Sequence, residues 1–187
     1  TAKTTSTSTS TSKSSSTSAP AATSNVNLLG SSKFWNDTTV APYVDITDWP
    51  TFDISDAASK TGLLHYALGF IVADAGNKTA SWGGWYNAIT GNFYESIISK
   101  VRSYGGELIV SFGGAAGNEL GYVISNENDL FLAYKSVIDK FKFKWADFDI
   151  EGDALKDRKS IPIRNKALVL LKKAFPELVI SFTLPVE

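Results

Sequence analysis

The chain contains no cysteine, no methionine and a single histidine. Without cysteine there are neither disulfides nor thiolate metal sites, though this leaves the compartment open. Because the numbered sequence neither begins with Met nor contains one, it is expected to be a mature or excised part of a longer product. Neither sign of charge is in excess: 18 Lys and Arg against 19 Asp and Glu leave a formal charge of -1. That balance gives no support to nucleic-acid binding or to attachment at an anionic membrane surface. The longest apolar run, 63–72, is interrupted by His65 and falls far short of the roughly 20 residues needed to span a bilayer. No signal peptide is visible, although prior removal would hide one.

What the chain does have is uneven. Residues 1–26 are mostly Ser and Thr, with a closing Ala-Pro-Ala-Ala stretch at 19–22. Such a segment buries too little apolar surface to offset its ordering entropy and reads as a disordered linker. Its composition suits an O-glycosylated stalk or a plain flexible tether. Residues 27–187 are rich in Phe, Tyr and Trp and form the expected folded part. Two sequons, at Asn36 and Asn77, match N-glycosylation acceptors and, with the stalk, point to an extracellular or cell-wall location.

Strand and helix patterns alternate along the folded part. Strands are expected over 42–47, 64–72, 108–112, around 147–151 and over 178–184. Helices are expected over 55–60 with Ser55 as cap, 92–104, 128–141 and 164–174. His65, in mid-strand, reads as a core histidine. Near-continuous apolar strands joined by helices imply a parallel sheet with right-handed crossovers. A doubly wound sheet and the first five units of a (β/α)8 TIM barrel both satisfy this order. No Gly-rich phosphate loop follows the first strand, and polar residues gather at strand C-terminal ends, which favours the α/β barrel.

The fourth strand carries the chemistry. Asp147, Asp149 and Glu151 alternate with Phe148 and Ile150, so in an extended strand the three carboxylates share one face. Asp is a poor strand former, and crowded like charges push pKa values upward. The arrangement points to acid–base work. A hard-metal site is the structural alternative, but such sites draw ligands from several strands, and no further acid or His cluster lies nearby. No cofactor or metal is expected.

Ser111-Phe112-Gly113-Gly114 on the third strand, followed by Asp147-Phe148-Asp149-Ile150-Glu151 on the fourth, resembles the paired signature of glycoside hydrolase family 18, the chitinases and their relatives. The likeness extends from about Ala41 to the end and is nearest to the secreted, modular bacterial and fungal chitinases. The pattern's outermost Asp and the Gly after it are missing, with Trp145 and Ala146 in that stretch. The resemblance also implies that strands six to eight are absent, with the family's Met and Tyr of strand six and its Trp of strand eight. A chain ending at Glu187 is therefore expected to be incomplete as a catalyst.

The resemblance implies roles for individual residues. Glu151 would be the proton donor, its pKa raised by Asp149. Asp149 would bind the substrate acetamide N–H, and Asp147 would share a proton with Asp149 and let it swing toward Glu151. Ser111 would hydrogen-bond the inner Asp, and Gly113 and Gly114 would leave room for the sugar. Tyr43 and Phe70 match pocket aromatics, while Trp82 and Trp85, expected in a loop, are candidates for stacking on sugar. Asp45 either touches the site or caps the next helix. The implied activity is a chitinase, endo action favoured, cleaving β-1,4-linked N-acetylglucosamine by substrate-assisted retention. A catalytically silent chitin-binding lectin and an endo-β-N-acetylglucosaminidase are the alternatives. The implied partners are chitin or chito-oligosaccharides and an upstream carbohydrate-binding module, on a monomeric chain.

Overall fold

A computed structural model describes Thr1, residues 39–76 and residues 78–186. The segment assigned as linker, the start of the expected folded part, and the sequon asparagines Asn36 and Asn77 lie outside the described residues.

Five strands run parallel: β1 (Tyr43–Asp45), β2 (His65–Ala73), β5 (Glu107–Gly113), β6 (Trp145–Asp149) and β7 (Val179–Thr183). The helices α1 (Ile54–Thr61), α2 (Glu95–Ser103), α4 (Glu127–Phe141) and α6 (Ser160–Ala174) make the crossovers. Pairing follows chain order throughout, β1 to β2, β2 to β5, β5 to β6 and β6 to β7. A doubly wound sheet would reverse its order at a switch point. This one does not, and its winding is that of a (β/α) barrel segment five units long.

Local sequence accounts for the element ends. Helix α1 is capped by Asp53, whose Oδ1 accepts from the backbone N–H of Ser55 at 2.8 Å and of Asp56 at 3.1 Å. The expected cap, Ser55, is instead a first-turn residue that donates its own hydroxyl to Asp53. Helix α4 is capped in the same way by Asn126. Every residue of β5 is buried, which explains why it is apolar except at Glu107 and Ser111: helices cover one face and the barrel interior the other.

The segment after β2, expected to be a loop, holds two short strands, β3 (Ala80–Trp82) and β4 (Tyr86–Asn87). They form an antiparallel hairpin on the end of β2. Two short helices, α3 (Leu120–Val123) and α5 (Gly152–Lys156), follow β5 and β6. Among the described residues, no helix is long and apolar enough to cross a membrane.

The main core lies between the sheet and the helices. At its centre Phe112 and Phe148 stack with ring centroids 5.2 Å apart, and Tyr134 of α4 meets both edge-on at 5.0 Å. At the N-terminal end of the strands, Glu107 pairs with Arg102 at 2.8 Å and Lys144 at 3.1 Å. His65 Nδ1 lies 3.1 Å from the Glu107 carbonyl, the structural role expected of it.

Candidate active site

Strand alternation sends Phe112 and Phe148 outward to the helices, so their neighbours Ser111, Gly113, Asp147 and Asp149 must face the barrel interior. Register then assembles the site. Ser111 sits opposite Asp147, which sits opposite Ser181, and one step further along Gly113, Asp149 and Thr183 form a second row.

Asp147 is the most heavily tied group of the site. Although only 5% exposed, it accepts four hydrogen bonds. Ser181 donates to Oδ1 at 2.5 Å, while Tyr43 at 2.8 Å, Thr183 at 3.1 Å and Ser111 at 3.2 Å donate to Oδ2. Trp145 Nε1 donates to Ser181 Oγ at 2.8 Å and so aims that hydroxyl. Tyr43 also lies 2.7 Å from Thr183 Oγ1. Burial is the main reason its phenol is pushed up to about 12; the Thr183 hydrogen bond opposes the rise and Asp147 adds to it. The phenol therefore stays a donor to Asp147 at any working pH.

Asp149 behaves differently. Burial, then the charges of Glu151 and Asp147, then a hydrogen bond with Glu151 push its carboxyl up to about 6. A carboxyl raised in this way takes up a proton more readily than an ordinary aspartate, and beside it the oxygens of Asp147 are held by four hydroxyl donors. Glu151 itself continues the extended backbone past β6 and is the N-cap residue of α5. It opens onto a cavity of about 210 Å³ whose lining includes Gly114, Asn118, Glu119, Tyr122 and Asp153. The spacing of the acidic residues in the sequence therefore places all three on one face, with Tyr43 and Ser111 joined to them.

Other expected residues have different tasks. Phe70 stacks on Tyr43 with centroids 5.9 Å apart and lies at the same end of the sheet. The glycines, expected to leave room for sugar, leave room for the protein's own atoms, and Gly114 also lines the cavity. A Cβ on Gly113, which has φ +105°, would lie 2.0 Å from the Asp149 carbonyl oxygen. A Cβ on Gly114 would lie 2.9 Å from the Phe70 ring. Trp82 is corrected outright as a sugar-stacking candidate: it lies in β3, is 0% exposed, and packs edge-on against Phe141. Its neighbour Trp85, at 84% exposed, is the one turned to solvent. Asp45 accepts from the backbone N–H and hydroxyl of Thr47 and so stabilises its own turn.

Sequence reasoning missed Ser181, Thr183 and Trp145. The signal was present, since Ser181 and Thr183 repeat the two-residue polar period of the two preceding strands, but only register assigns them a partner. Among the described residues, no group of three His, Cys, Asp or Glu side chains could hold a metal ion. The arrangement can take up and release a proton at Asp149 beside a rigidly held carboxyl.

Comparison with known proteins agrees with this geometry. No family model matches the chain. The chain is similar to a probable bifunctional chitinase/lysozyme of Escherichia coli, 33% identical over 159 residues, covering 82% of this chain and 18% of that protein. It is similar to endochitinase 11 of Metarhizium anisopliae, 31% identical over 158 residues, covering 82% of this chain and 30% of that one. Catalytic-site mutants of active domain 2 of the thermostable chitinase from Pyrococcus furiosus, complexed with chito-oligosaccharides, match at 29% identity and a TM-score of 0.65. That match covers 78% of this chain and 46% of the solved one. The chain thus spans less than a third of the curated relatives' length and about half of the solved domain.

Proposed function

We infer that this chain, a chitinase-like member of glycoside hydrolase family 18, supplies the proton donor and supporting carboxylates for hydrolysis of β-1,4-linked N-acetylglucosamine polymers. One observation carries the reading. Asp147 is pinned by four hydroxyls, the carboxyl of Asp149 beside it is pushed up to about 6 by burial and by Glu151, and Glu151 lines a cavity.

In the reaction, Glu151 gives its proton to the glycosidic oxygen as the bond to C1 breaks. The carbonyl oxygen of the substrate's own 2-acetamido group attacks C1 and forms a cyclic oxazolinium ion. Asp149, left with its negative charge, accepts the acetamide N–H and stabilises the cation through a short, partly desolvated contact. Water then attacks C1, Glu151 takes its proton, and the acetamide is released with retention. Asp147 never needs to move. Its charge adds to the rise of the Asp149 pKa, and its hydroxyl partners hold the carboxyl in place.

Supporting a secreted enzyme tethered through a Ser/Thr-rich linker to an upstream carbohydrate-binding module are the composition of residues 1–26 and the sequons. A linker of that kind would raise the local enzyme concentration on an insoluble polymer.

The test is hydrolysis of a chitin oligomer by the protein as its host produces it, beside Glu151→Gln. Loss of at least about a hundred-fold in kcat is expected for a missing general acid. A Gln variant that keeps most of its rate would remove the assignment. Faster release of N-glycans from a glycoprotein than of fragments from chitin would move the protein to the endo-β-N-acetylglucosaminidases. Binding without any hydrolysis would make it a lectin.

A further inference from the structure

The one buried cation among the described residues, Arg164, is not in the carboxylate site but behind its wall. It is 3% exposed and donates through Nη2 to Oε2 of Glu119, itself 5% exposed, at 2.6 Å. Tyr134 donates to the other Glu119 oxygen at 3.0 Å. Three elements meet here: Tyr134 belongs to α4, Arg164 to α6, and Glu119 closes the loop that leaves β5 through Gly113 and Gly114. That loop is fastened elsewhere too. The Gly114 N–H donates to the Asp149 carbonyl at 2.9 Å, and the Asn118 carbonyl accepts from the Ala73 N–H at 2.8 Å. Together with Glu151, Gly114, Ala115, Gly117, Asn118 and Glu119 line the 210 Å³ cavity.

Stability does not explain this cluster. A buried ion pair gains little over well-packed apolar groups of the same volume, because both charges lose their hydration. Arg164 Nε is buried without a hydrogen-bond partner, an added cost. What the cluster does supply is direction. A directed ion pair and a directed hydroxyl fix Glu119 against two helices, whereas apolar packing would tolerate sliding.

We propose that Glu119, Arg164 and Tyr134 are positioning residues that hold the 114–119 loop as the rigid wall beside the Asp149–Glu151 pair. This rests on the hydrolase reading above. A wall displaced by about 1 Å would misplace the substrate relative to the acid, at a cost in rate and not in binding.

The test removes the polar cluster whole, with Glu119→Leu, Arg164→Met and Tyr134→Phe combined in the protein as its host produces it. Tyr134→Phe alone serves if the triple variant does not fold. For a folded triple variant, kcat on a chito-oligosaccharide is expected to fall about ten-fold with KM within about two-fold of the wild type. For Tyr134→Phe alone a fall of about three-fold is expected, with KM again kept. Unchanged kcat, or a change confined to KM, overturns the proposal. Carboxyl ¹³C titration is the second readout and needs no turnover. The Asp149 midpoint should drop as water enters behind the loosened wall. If the wild type cleaves no chito-oligosaccharide, the hydrolase reading fails on its own, and this titration decides the positioning role: a lowered midpoint supports it and an unmoved one overturns it.

Discussion

Tyr43 and Asp147 stand 104 positions apart and meet in a 2.8 Å hydrogen bond. They belong to the first and fourth of the parallel strands, separated by β2 and β5. In a flat sheet those strands would lie about 14 Å apart at the usual spacing, beyond the reach of a phenol and a short carboxylate. The bond exists because the sheet curls. The same phenol touches Thr183 on the fifth parallel strand, so Tyr43 measures the closure of the barrel interior.

Removing that hydroxyl should separate the two roles of Tyr43. Tyr43→Phe keeps the ring stacked on Phe70 but deletes the bond to Asp147. A stability loss of about 1 kcal/mol is expected by urea unfolding. With Asp147 less firmly held, kcat on a chito-oligosaccharide should fall about ten-fold, with little change in KM. A variant with unchanged kcat would make Tyr43 a packing residue only.

Asp149 makes stability depend on pH in a direction opposite to that of an ordinary paired carboxylate. Its pKa rises from 3.8 to about 6, so between those values the native state holds more protons than the unfolded one. Its favourable contribution is complete below pH 3.8 and lost as pH rises through about 6. Asp149→Asn should therefore have a higher Tm than the wild type at pH 7 and the same Tm at pH 3.5. Thermal unfolding at the two pH values checks this, and an equal Tm at pH 7 would count against the raised carboxyl. Wild-type activity should decline as pH rises past about 6, where Asp149 loses its proton.

Two glycines with positive φ should respond very differently to alanine. At Gly113 the new Cβ would meet the Asp149 carbonyl oxygen at 2.0 Å, whereas at Gly62 it would meet nothing within 4 Å. Gly62→Ala should cost about 1 kcal/mol for its backbone conformation alone. Gly113→Ala should cost about 3 kcal/mol or more, because β5 and β6 must separate. Denaturant midpoints for the pair give the comparison, and similar values would contradict the close approach.

The two tryptophans flanking the β3–β4 turn should also divide. Trp82→Ala opens a cavity against Phe141 and should destabilise by about 3–5 kcal/mol, while a folded preparation keeps its KM. Trp85→Ala should leave stability within about 0.5 kcal/mol, as an exposed side chain does. Calorimetry and steady-state kinetics on both variants test the reassignment of Trp82 from ligand contact to core.

Much of the site could be read from the chain because period-two alternation is a local property. Phe112 with Phe148, and Ser111 with Asp147, already declare which face each occupies. Cap and turn residues were legible within a position or two, as at Asp53 and Asn126, since several polar side chains nearby compete for the same backbone donors. The β3–β4 hairpin was not legible. Its strands span three and two residues, too few for a pattern, and their pairing is supplied by the end of β2. The glycines of the Ser111–Gly114 motif were legible as special positions but not as to what fills their space, because that filler comes from strand and loop neighbours distant in sequence.

The amino-acid sequence by itself determined which carboxylates share a face, that their crowding pushes at least one pKa upward, and that alternating strands and helices would wind in parallel. Tertiary structure alone decided how the charge is distributed among them. Asp147 is fixed because Tyr43, Ser111, Ser181 and Thr183 converge on it from three other strands. Asp149 is pushed up to about 6 by burial and by the charges of Glu151 and Asp147. Alternation is set by bond geometry within one strand, whereas hydrogen bonding and desolvation depend on which distant atoms the curled sheet brings within about 3 Å.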